Sequence, residues 1–304
     1  IRAIGKNLKG KRTIDAGGLV LCPGFVDIHN HVDHGIVAFP DAESYVMQGV
    51  TTSVVGNCGL SMAPVDPKRA DMARRYLSPF LRKEGTYSWE WRTLGEFFRE
   101  ASASGIAQNL APLAGQGTIR IAVKGFDEGP PTRQEMDEMK ALLAQCLDEG
   151  AFGLTSGLIY PPGCYADAKE LTELASVLKT HGGFYATHMR NEGDRLLESV
   201  AETVALGEAN GIPVHVSHHK AFGKANWGKV KDSLALMEEA RKKGVEVTCD
   251  VYPYVAGMTT LTSLLPPSAL EGGVEQMLRR LADPEESRRV REGIEQGVPG
   301  GENW

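Results

Sequence analysis

The chain has 304 residues, of which 42% are hydrophobic and 24% charged, and its formal net charge is −6. This composition is typical of a globular protein and excludes a disordered, collagen-like or coiled-coil chain. No segment approaches the ~20 apolar residues of a membrane span, and the acidic balance argues against nucleic acid or an anionic membrane as a partner. We therefore expect a soluble enzyme.

The five cysteines are an odd number spread thinly along the chain, whereas a disulfide scaffold is denser and more often even in number. We therefore expect a reducing, cytoplasmic compartment, in which an important cysteine acts as a thiolate. No secretory signal pattern is visible near the first residue. The chain begins at Ile1 and stops at Trp304 within a polar stretch, so we expect that its ends are cut.

Short apolar runs alternate with amphipathic segments from residue 23 onward. The apolar runs predict seven strands, at about residues 25, 51, 110, 152, 184, 214 and 246. Apolar residues at three- and four-residue spacing predict helices over residues 134–148, 168–180, 195–209 and 230–242. This alternation predicts a parallel sheet covered by helices, and eight such units would form a (β/α)₈ barrel.

Three segments do not follow this rhythm. Residues 1–22 are predicted to be the remnant of a small β-sandwich domain, and residues 66–92 are a charged insertion into the barrel, which spans residues 23–257. Residues 258–304 contain two helical patterns and a Gly/Pro-rich end, and we interpret them as an inserted lid. No convincing eighth strand follows Val251, so the eighth barrel strand is expected to lie beyond the supplied chain.

Two histidines, His29 and His31, stand two positions apart at the end of the first predicted strand. Because side chains alternate along a strand, both imidazoles point to the same side. The C-terminal ends of barrel strands form the active-site face. A bare His-x-His pair is more often accidental than functional, but this pair lies within PGFVDIHNH at residues 23–31. The setting predicts a metal site.

Residues 23–31 resemble the first-strand signature of the amidohydrolase superfamily, whose members are (β/α)₈ barrels with one or two metals at the strand ends. Later motifs resemble the D-aminoacylase family within it, in the right order between about residues 19 and 261. They are GVTT and VGNCG at 49–52 and 55–59, GLIYPPG at 157–163, THMRNE at 187–192, SHHK at 217–220 and DVYPY at 250–254. The resemblance implies that metal-activated water hydrolyses the amide of N-acyl-D-amino acids, which gives a carboxylate and a free D-amino acid.

Cys58, His188 and His218 each end a predicted strand at the same rim as the first two histidines. A lone buried cysteine is usually inert packing, but a thiolate at this rim would be a strong zinc ligand. One cysteine and two histidines with an open fourth position suit a catalytic zinc ion. The resemblance implies that these three residues hold the tight zinc. It also implies that His29, His31 and Cys58 help to form a second, weaker site.

His218 and His219 leave an ambiguity, because successive strand residues face opposite sides and only one of them can reach the metal. The family pattern favours His218. His215 is expected on the same face as His219 and is interpreted as structural.

Two features depart from the wider superfamily. Many members bridge two metals with a carboxylated lysine on the fourth strand, where this chain has Thr155 and Ser156. This fits the D-aminoacylase branch, in which a cysteine bridges, and argues against dihydroorotase and hydantoinase. The catalytic aspartate of the superfamily ends the eighth strand, whereas Asp250 ends the seventh and is not assigned that role. We expect the catalytic aspartate beyond Trp304, and the alternative is an inactive chain.

By the same resemblance, Lys220 and Tyr252 would bind the substrate carboxylate, although Tyr252 could instead be a packed aromatic. Arg190 would either bind that carboxylate or pair with Glu192. The family divides into enzymes for neutral D-amino acids, D-glutamate or D-aspartate, and the absence of Lys and Arg from residues 251–273 favours an uncharged side chain. The alternatives are another amidase of the superfamily and a non-catalytic zinc-binding homologue. The sequence predicts neither the oligomeric state nor the number of metals in use.

Overall fold

All strands in the described residues run parallel and lie in two sheets that follow each other along the chain. The structure is a computed structural model, and it describes residues 3–81 and 87–296. The first sheet contains, in order, β1 (Phe25–Asp27), β2 (Val50–Val55) and β3 (Asn109–Pro112). The second contains, in order, β4 (Ala114–Gly115), β5 (Gly153–Gly157), β6 (Phe184–His188), β7 (Val214–Val216) and β8 (Val247–Cys249).

A one-residue break at Leu113 separates β3 from β4, but the two sheets still form one continuous layer of parallel strands. The Leu113 N–H donates to Val55 O at 2.8 Å, and the Phe152 N–H donates to Pro112 O at 2.8 Å. The third predicted strand is therefore divided in two, and the predicted parallel α/β architecture with seven strand positions is confirmed. The layer curls until the ends of β1 and β8 approach each other, as the Asp250 contact described below shows. An eighth barrel position stays a prediction.

Helices connect the successive strands. They are α1 (Glu43–Val46), α2 (Ala70–Leu77), α3 (Leu94–Ala103), α4 (Gln116–Val123), α5 (Arg133–Asp148), α6 (Ala168–Ala175), α7 (Leu178–His181), α8 (Leu196–Asn210) and α9 (Lys229–Lys242). The bounds of α5, α8 and α9 agree with the predicted helices to within one residue. The helix predicted over residues 168–180 is instead two helices, α6 and α7. Their apolar face is continuous, since Leu171, Leu174 and Leu178 are all buried.

The chain leaves the layer after β8 and forms α10 (Pro267–Leu270), α11 (Val274–Ala282) and α12 (Pro284–Gln296). The two helical patterns in the proposed lid correspond to α11 and α12. Residues 3–24 contain no strand and are exposed, so the β-sandwich assignment stays a prediction, as do the boundaries of the insertion and the lid. Residues 1–2, 82–86 and 297–304 of these segments lie outside the described residues. Within residues 3–81 and 87–296, no helix combines the length and apolar character needed to cross a bilayer.

The turn that follows β2 packs directly against β5. Gly56 and Cys58 both have a left-handed backbone, with φ of 78° and 56°, a conformation that is uncommon for cysteine. Thr155 Oγ1 donates to Gly56 O at 2.6 Å and accepts from the Gly59 N–H at 3.1 Å. Gly157 passes so close to the Cys58 carbonyl that any Cβ would overlap it. The Thr155 hydroxyl and the close approach of the Gly157 backbone, both from β5, therefore hold this turn in place.

Replacing Gly157 with alanine should lower the free energy of unfolding by roughly 1–3 kcal/mol, because the added methyl group overlaps backbone rather than a flexible side chain. The matched control is Gly129→Ala, since no atom lies within 4 Å of a Cβ built at Gly129. That control should change stability by less than about 0.5 kcal/mol. Urea unfolding of both variants measures the difference. Equal midpoints would show that the turn can move away from β5 without cost.

Candidate metal centre

The strand ends bring all five predicted metal ligands to the wall of one cavity, which has a volume of 1490 Å³. His188 is the last residue of β6, and the other four follow the ends of β1, β2 and β7. They are His29, His31, Cys58 and His218. The C-terminal ends of parallel strands meet at one edge of the layer, so distant parts of the chain converge there.

Two overlapping sets of donor atoms share the Cys58 sulfur. In one set, Cys58, His188 and His218 each offer an atom within 4.8 Å of the other two, and in the second His29, His31 and Cys58 do the same. The sulfur lies 3.4 Å from His29 Nε2 and 3.6 Å from His218 Nε2. The ring centroids of His188 and His218 are 4.4 Å apart. One thiolate is thus placed to contribute to two metal positions.

Carboxylates orient two of these histidines. His29 Nδ1 is 2.9 Å from Asp250 Oδ2, and His218 Nδ1 is 2.8 Å from Glu192 Oε1. In each case we assign the proton to Nδ1, which donates to the carboxylate and leaves Nε2 facing the Cys58 sulfur. A carboxylate behind a histidine in this way is the usual arrangement around a protein-bound metal.

Burial and neighbouring charges set the protonation of the cluster. Burial raises the pKa of the Cys58 thiol, but the charge of His29 and the nearby imidazoles of His188 and His218 outweigh it and hold that pKa well below its ordinary value. Burial lowers the pKa of His29, but Cys58 and Asp250 outweigh it and raise that pKa to about 10. The pKa of His218 rises to about 9 in the same way, through Cys58 and Glu192. Protons on imidazoles therefore balance the thiolate, in the place where a divalent cation would supply positive charge.

His188 gives the clearest test of whether a metal fits. Both of its ring nitrogens are buried and have no hydrogen-bond partner among the described residues. Burial and the neighbouring His218 lower the pKa of His188, which favours the neutral form that ligates metals. An unsatisfied buried polar atom costs about 1–3 kcal/mol, and a metal bond would remove that cost. Sulfur and imidazole nitrogen are donors that zinc prefers, so this donor set fits zinc.

Lys220 and Tyr252, the two residues predicted to bind the substrate carboxylate, also line the cavity. The Lys220 ammonium donates to Glu192 Oε2 at 2.5 Å and lies 5.4 Å from the centre of the Tyr252 ring. Glu192 therefore contacts both His218, a predicted metal ligand, and the ammonium of Lys220, which faces the cavity.

Arg190 does not join this group. Its guanidinium donates to Glu202 at 2.9 Å and to the carbonyls of Cys164 and Ala166. These contacts tie the guanidinium to α8 and to the segment after β5, and Arg190 is not among the residues that line the metal cavity. Its predicted role in binding a carboxylate stays a prediction. The prediction missed Glu202 because the partner comes from α8, twelve positions along the chain.

The two remaining histidines of this region lie in different environments. His219 Nε2 bonds to Ser233 Oγ on α9 at 2.8 Å, whereas His218 is the residue grouped with Cys58 and His188. His215 Nε2 instead bonds to Asp250 Oδ2 at 2.8 Å, next to His29. The expectation that His215 shares the face of His219 was wrong. β7 ends at Val216, and the left-handed backbone of His218 (φ 37°) breaks the strand alternation between the two residues.

Sequence reasoning underestimated two acidic residues, Asp250 and Glu192. Asp250 accepts from His29, His215 and, at 2.6 Å, the backbone N–H of His218. Burial raises the pKa of Asp250, but the bonds from His215 and His29 outweigh it and place that pKa below its usual range. The available signal was position, since both residues follow strands that end at the metal cluster.

Comparisons with known proteins show which proteins this chain resembles. The chain is 36% identical to D-aminoacylase of Alcaligenes xylosoxydans xylosoxydans over 252 residues, which are 82% of this chain and 50% of the relative. It is 38% identical to N-acyl-D-glutamate deacylase of the same organism over 253 residues, with the same shares of the two chains. The chain thus spans about half the length of the curated relatives it matches.

A solved structure adds a chemical comparison. N-acyl-D-glutamate deacylase from Bordetella bronchiseptica, complexed with zinc and a phosphonate mimic of the tetrahedral intermediate, aligns with a TM-score of 0.68 and 36% identity. The alignment covers 76% of this chain and 48% of that one. The model of the amidohydrolase family matches residues 12–283. Because this match includes every residue of the metal cluster and most of the chain, the protein belongs to the amidohydrolase family.

Proposed function

We propose that this protein hydrolyses the amide bond of N-acyl-D-amino acids with zinc as its metal. The observation that carries the proposal is the Cys58 sulfur shared by two sets of imidazole donors. The similarity of the chain to D-aminoacylase and N-acyl-D-glutamate deacylase supports the choice of substrate class.

Cys58, His188 and His218 would hold the tight zinc, and His29, His31 and Cys58 a second, weaker one. Zinc bound in such a site supplies a water of lowered pKa and polarises a carbonyl. Asp250 and Glu192 keep His29 and His218 in the tautomer whose Nε2 faces the metal positions. No general base is assigned within residues 1–304.

Lys220 and Tyr252 would bind the substrate carboxylate. Both lie on the side of the cavity formed after β7 and β8, and their groups face the same space. An ammonium and a phenol hydroxyl are suitable donors for a carboxylate. A substrate held there places its amide toward the metal cluster, because Glu192 connects Lys220 directly to His218.

We further propose that the D-amino acid of the substrate has an uncharged side chain and that the protein is cytoplasmic. The segment after β8 that lines the cavity, residues 252–259, contains no Lys or Arg, and an acidic side chain would need such a partner. The five cysteines are all free thiols, which supports a reducing compartment. The proposed domains remain a β-sandwich remnant at 1–22, a barrel at 23–257 and a lid at 258–304.

Replacing Cys58 with serine should abolish both metal positions together, because the two sets share this sulfur. Zinc affinity should fall by more than the roughly 10–100-fold expected when only a ligand's hydrogen-bond partner is lost. Competition with a fluorescent chelator measures it. Cys22→Ser, at an exposed free cysteine, is the matched control. Unchanged affinity in Cys58→Ser would contradict the shared-ligand arrangement.

Replacing Glu192 with glutamine should lower zinc affinity by roughly 10–100-fold. The side-chain amide that replaces the carboxylate has no negative charge, so it no longer holds the His218 proton on Nδ1. Glu198→Gln changes an exposed glutamate on the same segment and should bind zinc as the unaltered protein does. Chelator competition on the two variants compares them directly, and identical affinities would remove Glu192 from the metal centre.

The substrate class is tested by loading the intact gene product with zinc and following amine release from N-acetyl-D-methionine, N-acetyl-L-methionine and N-acetyl-D-glutamate. We expect amine release from N-acetyl-D-methionine to be at least about tenfold faster than from the other two compounds, since discrimination is a difference of binding free energies. Preference for the L form would overturn the D-specific assignment, and preference for D-glutamate would overturn the uncharged side chain. Zinc binding without any release would favour a non-catalytic zinc-binding homologue.

A further inference from the structure

A second cavity of 320 Å³ lies beside the metal cavity and is separate from the predicted carboxylate site. Leu60, Pro79, Phe80 and Tyr160 line both cavities. Neither Lys220 nor Tyr252 is among the residues that line the second cavity. We call this second cavity the side chamber.

The walls of the side chamber are mainly apolar. Met72, Tyr76, Phe126, Leu270 and Met277 form much of its lining, and Leu270 and Met277 are buried. They come from α2, α10, α11 and the segment after α4. α2 and the helices that follow β8 therefore enclose much of this space.

The polar groups of the chamber are paired or lie at its rim. Arg75 and Glu275 bind each other at 2.7 Å, and their side chains are 53% and 64% exposed. The hydroxyls of Thr260 and Thr262 are 2.9 Å apart. A ligand that enters the chamber thus meets hydrocarbon and aromatic surface, with no buried unpaired charge, which suits an apolar group.

The walls that the two cavities share touch the metal ligands. The ring centroids of Tyr160 and His188 are 5.1 Å apart, and those of Phe80 and His31 are 6.0 Å apart. The same two rings therefore border the metal cluster on one side and the side chamber on the other.

We infer that the side chamber binds the acyl chain of the substrate and that the protein prefers medium-length N-acyl chains to N-acetyl. The inference rests on the proposed function. The carboxylate is assigned to Lys220 after β7 and Tyr252 after β8, whereas the chamber lies beside the segments after β2 and β5. The acyl group and the amino-acid part leave the scissile amide in opposite directions, so the acyl chain points toward the chamber. The side chain of the D-amino acid is attached to the same α-carbon as the carboxylate, so it stays nearer to Lys220 than to the chamber.

The test uses the intact gene product and compares its kcat/KM for N-acetyl-D-alanine, N-octanoyl-D-alanine and N-acetyl-D-norleucine. Each methylene buried in the chamber should improve binding roughly fourfold, so we expect at least a tenfold advantage for the octanoyl substrate over the acetyl one. In Met72→Trp, which narrows the chamber from a half-exposed helix position, the octanoyl-to-acetyl ratio should fall at least tenfold. Met47→Trp, at an exposed methionine outside both cavities, should keep the ratio of the unaltered protein.

A calorimetric titration with octanoate and with acetate tests the chamber without catalysis. Octanoate should bind the unaltered protein and the Met47→Trp variant, and its affinity should fall at least tenfold in Met72→Trp. Equal kcat/KM for octanoyl and acetyl substrates, or no octanoate binding, would overturn the inference. If Met72→Trp instead removes a preference for norleucine over alanine, the chamber holds the side chain and the acyl assignment is wrong. Failure to release amine from any D-substrate would overturn the proposed function, and octanoate binding would then still decide whether the chamber takes an acyl chain.

Discussion

The position of the Cys58 sulfur is the constraint on which the rest of the site depends. A single sulfur can serve two sets of imidazoles only if the chain turns back sharply at the end of β2 and delivers the side chain to the centre of the strand ends. The left-handed backbone at Gly56 and Cys58 makes that turn, and β5 holds it from below through Thr155 and the close approach of Gly157. The cost of a strained cysteine is met by contacts from a strand about a hundred residues away, so the metal centre and the parallel layer stabilise each other.

Charge organises the histidines around that sulfur. Glu192 and Asp250 stand behind His218 and His29, and each carboxylate also binds a further cation or donor, Lys220 or His215. Burial raises the pKa of both carboxylates, but His188 and His218 outweigh it at Glu192, with a smaller contribution from Lys220, and His215 and His29 outweigh it at Asp250. Both carboxylates therefore stay ionised, and they in turn orient the imidazoles. The same Glu192 reaches the cavity through Lys220, so the groups that orient a ligand and the group proposed to hold the substrate belong to one network.

Local patterns made much of this predictable, and contacts between distant segments account for what was missed. The two-residue period predicted that His29 and His31 lie together, and the strand–helix alternation predicted the parallel layer and the strand ends where Cys58, His188 and His218 stand. The break at Leu113, the pairing of Arg190 with α8 and the turn at His218 each depend on a partner far along the chain. The seven-strand pattern was therefore predictable from periodicity, whereas the hydrogen bonds that orient the histidines were not.

The two hydroxyl residues of β5 explain why a cysteine carries the negative charge of this centre. Where a carboxylated lysine would stand in many relatives of the superfamily, Thr155 is bonded to the Cys58 turn on both sides, through Gly56 O and the Gly59 N–H. Ser156 is bonded to the hydroxyls of Tyr185 and Thr187 at 2.5 and 2.7 Å. Both hydroxyls are buried and fully engaged, so β5 supplies support and no ligand. Cys58 would then be the one anionic donor, shared by both sets, and the imidazoles would bind a metal as neutral donors.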